Sequence, residues 1–242
     1  MSTTNLVIEQ LHHLRYRLSY CLGIILVAFI ITFSFSHTLF NYLAQPLLRH
    51  LIANQTLIAT NIITPILTPL KLSLYTSLII AMPCLLWQTW AFVAPALYQH
   101  EKQWIQLIML SCVLFYLGIA FAYFVLLPIL FAFVTSLVPA GVSFMPDMAS
   151  YLDFTLQLLL VCGLLFQIPL VMLLLSQMQI VSLEQWLSYR RVMIVIAFIL
   201  GMLLTPPDVI SQIMLAIPIC LLYECGIMMC WWLKRKNNDE SA

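Results

Sequence analysis

Apolar residues run in long unbroken stretches along this chain, and polar residues gather in short segments between them. The stretches are continuous rather than alternating, so they predict helices and not half-buried strands. Six helices follow: Ser19 to Phe40, Leu72 to Ala94, Trp104 to Thr135, Tyr151 to Gln177, a short one from Val192 to Leu204, and Val209 to Leu233. The segment between the first two carries Pro46, Pro65 and Pro69 and the amphipathic piece YLAQPLLRHL, which suits a membrane interface. Upstream, Val7, Leu11, Leu14 and Leu18 form an apolar stripe on an amphipathic N-terminal helix within residues 1–18.

Composition names the solvent. Hydrophobic residues make up 63% of the chain and charged residues 8%, against about 25% charged in soluble domains. Lipid must therefore surround most of the length. Only helices or closed barrels satisfy the backbone there, and continuous runs favour helices. The fold class is an all-α polytopic membrane protein with six transmembrane helices, the last two short. A net charge of +1 points to no nucleic-acid partner. The seven cysteines lie in or beside apolar runs without CxxC spacing and read as small buried hydrophobes, so no metal or other cofactor is expected. The first apolar run follows Arg15 and Arg17 and exceeds the length of a signal-peptide core, which makes it a retained anchor.

Charge sets the expected orientation. Arg15, Arg17, Lys102, Arg190, Arg191, Lys234, Arg235 and Lys236 fall on one side of the six-span arrangement, and only Arg49 and Lys71 on the other. The positive-inside rule then puts both termini in the cytoplasm, with 234–242 as a cytoplasmic tail. Arg190-Arg191 lies in an internal loop and is not itself an export signal. Lys71 reads as a snorkelling residue. The fifth helix, Val192 to Leu204, spans roughly 20 Å against a hydrocarbon core of about 30 Å, so local bilayer thinning is expected beside the last two helices.

A few polar residues stand out, each with an ordinary reading beside a functional one. Glu101, in PALYQHEK, is either a solvated loop charge or a carboxylate for an incoming guanidinium, whose planar fork pairs bidentately. Gln167 sits deep in LLFQIPL and needs a partner, either across helices or at a carbonyl freed by Pro169. Asp208, after Thr205-Pro206-Pro207, can cap the sixth helix. Glu224 is an acidic group within a span, too far from Lys234–Lys236 for a direct pair. Gln212 lies at the opposite end of that helix. Pro46 and Phe40 read as turn and interface residues.

Several segments resemble the TatC family, the multispanning receptor subunit of the twin-arginine protein translocase. They are LHHLRYRL, TPLKLSL, MPCLLWQTWAFVAPALYQHEK, FAYFVLLP, MASYLDF, FQIPL, LLTPPDVISQ and LAIPICLLYE. The resemblance covers about Leu11 to Glu224. It implies one membrane domain over 1–242, with a glove-shaped, concave six-helix bundle over 19–233. It also implies residence in the bacterial inner membrane, TatA-type and TatB-type single-span partners, self-association through the first periplasmic region with Pro46, and transport driven by the proton-motive force. It maps signal-peptide binding onto Glu101, with Phe92 and Pro95 shaping the loop, and onto Leu14 and Arg15. The family's second acidic position is His13 here; Glu9, one turn earlier, is the candidate compensating group. Gln167 stands where the family commonly has glutamate, which removes a proton-relay role and leaves a polar docking point for a partner helix. Asp208 is implied in transport.

Competing classes have less support. HExxH, GxSxG and GxxxxGK[ST] are all absent, and six glycines leave little for a phosphate-cradling loop, so enzyme and ATPase readings recede. A small-molecule secondary transporter is the alternative suggested by proline-interrupted helices, although no repeat between the halves is visible. A divergent family scaffold with relaxed signal recognition is the other alternative, motivated by His13 and Gln167.

Overall fold

A computed structural model describes residues 3–48, 57–93, 101–139, 145–205 and 208–240, with side chains described at 15, 19–48, 57–90, 105–139, 145–205 and 208–235. Helix dominates throughout. In order come α1 (Thr3–Ser34), α2 (Ser36–Leu48), α3 (Thr64–Val93), α4 (Glu101–Phe121), a π-helical turn (Ala122–Leu126), α5 (Leu127–Ser136), α6 (Met148–Leu165), α7 (Ile168–Gln177), α8 (Leu183–Ser188), α9 (Arg190–Leu204) and α10 (Val209–Glu240). Extended pairing among the described residues is limited to an isolated parallel bridge between Ile58 and Asp147.

Among the described residues, four stretches are long and apolar enough to cross a bilayer: Thr64–Trp90, Ile105–Ser136, Met148–Gln177 and Val209–Arg235. A fifth exists if Ser19–Ser34 and Ser36–Leu48, bent by 80°, count as one span. The expected count of six crossings is thus not reproduced. At 15 residues, α9 falls short of that length. Elsewhere α3 starts at Thr64 rather than Leu72, α10 runs to Glu240 rather than Leu233, and three further points differ. The first expected helix breaks at Phe35, within the polar cluster Ser34, Ser36, His37 and Thr38 that the reading of one continuous helix ran through. No break separates the N-terminal amphipathic segment from the first span, since α1 is a single helix. The prolines expected in the first loop are helical: Pro46 lies inside α2 and is buried, and Pro69 lies inside α3. Pro65 falls in the first turn of α3, where no amide donor is needed.

The chain divides into two compact units, Met1–Tyr42 with Asn61–Cys112, and Leu43–Thr60 with Val113–Ala242. In the first, α1 lies against α3. The Thr32 hydroxyl sits 2.9 Å from the Ala28 carbonyl on its own helix and 3.1 Å from the Ser73 carbonyl on α3. Trp90 Nε1 donates to Ser111 Oγ at 2.8 Å, joining α3 to α4. In an apolar surround, such bonds fix which faces meet.

The second unit is built around α10, which packs on α7 and α9. Prolines set its helix breaks. Pro128 cannot donate an amide, so the helix widens just before it, with the Leu127 amide reaching Ala122 O. Pro169 likewise coincides with the break at Phe166–Gln167 between α6 and α7. After α7 the chain reverses through Gln179 at φ 56°. The amides of Ile180 and Gln179 close back on Leu175 O and Ser176 O, a left-handed helix end built without glycine. Ser182 and Gln185 then form a reciprocal capping box that starts α8, at 3.3 and 2.8 Å.

Candidate functional site

The residues assigned to signal-peptide contact lie at the edge of the description. Pro95 falls outside the described residues, as do the side chains of Glu9, His13, Leu14, Phe92 and Glu101. The backbone places Glu9, His13, Leu14 and Arg15 on α1, and Glu101 is the first residue of α4. A carboxylate at that position suits the positive end of the helix dipole. Arg15 is exposed, and its carbonyl accepts from Ser19 Oγ at 2.9 Å.

The residues assigned to transport are well described, and three of them belong to one helix pair. Asp208 caps α10: its Oδ2 accepts the Ser211 amide at 2.8 Å, while its carbonyl accepts the Gln212 amide at 3.2 Å. This is the capping role expected from the TPPD motif. Gln212, one turn on, donates from Nε2 to Phe198 O on α9 at 2.7 Å. The two helices touch closely here. A Cβ added at Gly201 would meet Gln212 Cγ at 3.0 Å and its carbonyl oxygen at 3.1 Å, so glycine is what lets the backbones approach. Thr205 Oγ1 bonds back to Gly201 O at 2.8 Å and closes the end of α9.

At the other end of the pair, Arg190 Nη2 meets Glu224 Oε2 at 2.7 Å. Sequence reasoning weighed only Lys234–Lys236 as partners for Glu224 and missed Arg190. Counting outward from the contact of Gly201 with Gln212 would have found it, because the two arms of an antiparallel hairpin have similar lengths. Lys234 instead lies 3.7 Å from Glu184 on α8. Nearby, Tyr223 Oη donates to Trp186 O at 2.7 Å, with the two rings edge to face. Arg190–Glu224 therefore holds the start of α9 against α10, and Gln212–Phe198 holds its middle.

Gln167 is buried at the break between α6 and α7, and its side chain does not cap α7. It is not part of the α9–α10 contacts just described. Pro46 is buried near the end of α2.

Asp147 was not singled out from the sequence. It caps α6 and ties it to the segment before α3. One carboxylate oxygen accepts the Ser150 amide and hydroxyl, each at 3.0 Å. The other accepts the Thr60 hydroxyl at 2.8 Å and the Thr60 amide at 3.3 Å. These donors, the Ser150 amide first, pull its carboxyl down to about 2. The available signal was an aspartate three residues before a serine at a predicted helix start. Beside it, Tyr151 Oη donates to Leu43 O at 2.5 Å.

Comparison with known proteins accounts for these features together. The family model of the Sec-independent protein translocase protein (TatC) matches residues 9–218. The TatC protein of Haemophilus influenzae is 48% identical over 167 residues, 69% of this chain and 65% of that protein. That of Escherichia coli K12 is 44% identical over 171 residues, 69% of this chain and 66% of that protein. These matches span just under two thirds of the relatives' length. A crystal structure of the twin-arginine translocase receptor TatC superposes with a TM-score of 0.84 at 34% identity, covering 92% of this chain and 98% of that one. The chain belongs to the TatC family.

Proposed function

We propose that this protein is the signal-peptide receptor of a twin-arginine translocase, working as one membrane domain in the bacterial inner membrane with both termini cytoplasmic. The observation that carries this reading is a family match over residues 9–218, a range that takes in Glu101 and the His13 segment. Glu101 receives a guanidinium of the twin-arginine motif, because arginine pairs bidentately with a carboxylate where lysine offers a point charge. Phe92 and Pro95 shape that loop. Leu14 and Arg15 border the motif, and Glu9 supplies the second acidic group in place of His13. Asp208, Gln212 and Glu224 keep the last two helices in register for TatA-type and TatB-type single-span partners, with Gln167 as a polar docking point. Pro46 serves contacts between copies of the chain. The protein is not an enzyme, and transport draws on the proton-motive force.

The test is photocrosslinking from position 101 to a cargo signal peptide in inverted inner-membrane vesicles, with twin-arginine and twin-lysine peptides side by side. Crosslinking to the arginine form alone, lost in Glu101→Ala with the probe moved to position 102, is the expected result. Equal crosslinking to both forms would overturn strict recognition. It would favour the second reading, a family scaffold with relaxed recognition, which the imidazole at His13 motivates.

A further inference from the structure

The second unit holds a cavity of about 350 Å³ where α2, α5, α6 and the first turn of α10 meet. That volume falls at the lower end of small-molecule sites, roughly 300–1,000 Å³. Its walls are almost wholly apolar and include Leu47, Leu130, Phe131, Val134 and Phe154. One polar group in it is unsatisfied: Ser211 lines the cavity, is fully buried, and its hydroxyl has no hydrogen-bond partner. A buried hydroxyl without a partner is unfavourable, so an acceptor in the cavity would have a ready donor. Ser211 also sits three residues past the cap Asp208, at the start of the spanning stretch Val209–Arg235. That is roughly 4.5 Å along the helix, within one turn of its capped end.

We propose that this cavity is a phospholipid site, in which one acyl tail lies along Leu130, Val134 and Phe154 and its ester carbonyl accepts the Ser211 hydroxyl. The chemistry discriminates among occupants. Asp147, Ser150 and Tyr151 also line the cavity, but the Ser150 hydroxyl is spent on Asp147 and the Tyr151 hydroxyl on Leu43 O, so the Ser211 hydroxyl is the unpaired donor there. An extended peptide would bring an amide and a carbonyl at every residue. A fatty ester brings a long apolar tail for the apolar part of the lining and an acceptor for its unpaired donor, Ser211. The lipid would then act as a structural wedge joining α2, α5, α6 and α10, independently of signal-peptide recognition.

The experiment uses the full chain in vesicles of phosphatidylethanolamine and phosphatidylglycerol, doped with a phospholipid carrying a diazirine in its acyl tail. After illumination, labelled peptides are mapped by mass spectrometry. The expected result is label concentrated several-fold on residues 130–134 and 150–154 relative to the exposed face of α4 at Val113 and Leu117. Val134→Trp, which fills the cavity, should remove the excess. An ether-linked analogue lacks the carbonyl and should label several-fold less, and Ser211→Ala should lose the difference between ester and ether lipids. The ether comparison uses the unaltered protein and so does not depend on any variant folding. Equal labelling of the cavity and the α4 face, or identical labelling by ester and ether lipids, overturns the proposal and leaves a protein side chain from a partner as the occupant.

Discussion

Arg190, the first residue of α9, donates to Glu224 on α10 at 2.7 Å across a sequence separation of 34. Together with the Gln212 clamp on Phe198, the pair fastens a helix too short to cross a membrane unaided at its start and at its middle. Each side chain remains about half exposed, at 46% and 45%, so its direct contribution is modest, about 1 kcal/mol or less. Removing one partner leaves the other charge unpaired at the contact between α9 and α10, so a loss of that modest size is expected. Glu224→Gln and Arg190→Gln are each expected to lower the thermal midpoint of the purified protein, and the exchange Arg190→Glu with Glu224→Arg to recover most of the loss. A double variant no more stable than either single one would show that the pair does not hold the helices.

Gly201 sets the distance between α9 and α10. A Cβ there meets Gln212 at 3.0–3.1 Å, which a modest shift can absorb. Gly201→Ala should therefore cost about 1 kcal/mol, and Gly201→Leu about 3 kcal/mol, with loss of transport. Thermal unfolding in detergent and export of a twin-arginine reporter check both. A Gly201→Leu protein with full activity would mean the close approach is dispensable.

Asp147 makes the cap of α6 sensitive to acid. Its folded carboxyl is held near 2 against an ordinary 3.8, so the ionised form is the one the fold favours. The stabilisation is complete above about pH 4 and disappears as pH falls through about 2. Amide exchange protection at Ser150, corrected for intrinsic rate, should follow that window and should be lower and flat with pH in Asp147→Ala. Protection that survives below pH 2 in the unaltered protein would contradict this account.

Gln179 occupies a left-handed conformation at φ 56°, which costs a side-chain-bearing residue roughly 1 kcal/mol and glycine far less. Gln179→Gly should raise the thermal midpoint by a few degrees, and Gln179→Val, with its branched Cβ, should lower it by more. A destabilised glycine variant would mean the side chain contributes contacts that outweigh the strain.

The 15-residue α9 reaches only about 22 Å, against a hydrocarbon core of about 30 Å. If the bilayer thins beside it, inserting four leucines after Ile196 should relieve the thinning and abolish export of a twin-arginine reporter. Export at the original rate would show that the short length has no functional role.

Much of the architecture was legible along the chain. Continuous apolar runs located the helices, because lipid demands internally bonded backbone for about twenty residues at a time. The TPPD motif identified Asp208 as a cap because capping is a local event, settled within one helical turn. Signals that depend on three dimensions were not legible. Pro46 and Pro69 read as loop residues but are helical, since a helix tolerates a missing donor when its neighbours compensate. The bend at Phe35 was marked only by Ser34, Ser36, His37 and Thr38, residues that a helix also tolerates. Arg190 found Glu224, Asp147 found Thr60, and Ser211 came to face an apolar cavity only when separate helices were brought together. Hydrophobicity acts residue by residue and survives in one dimension, whereas an ion pair, a clamp or a cavity depends on the register between helices, which packing alone decides.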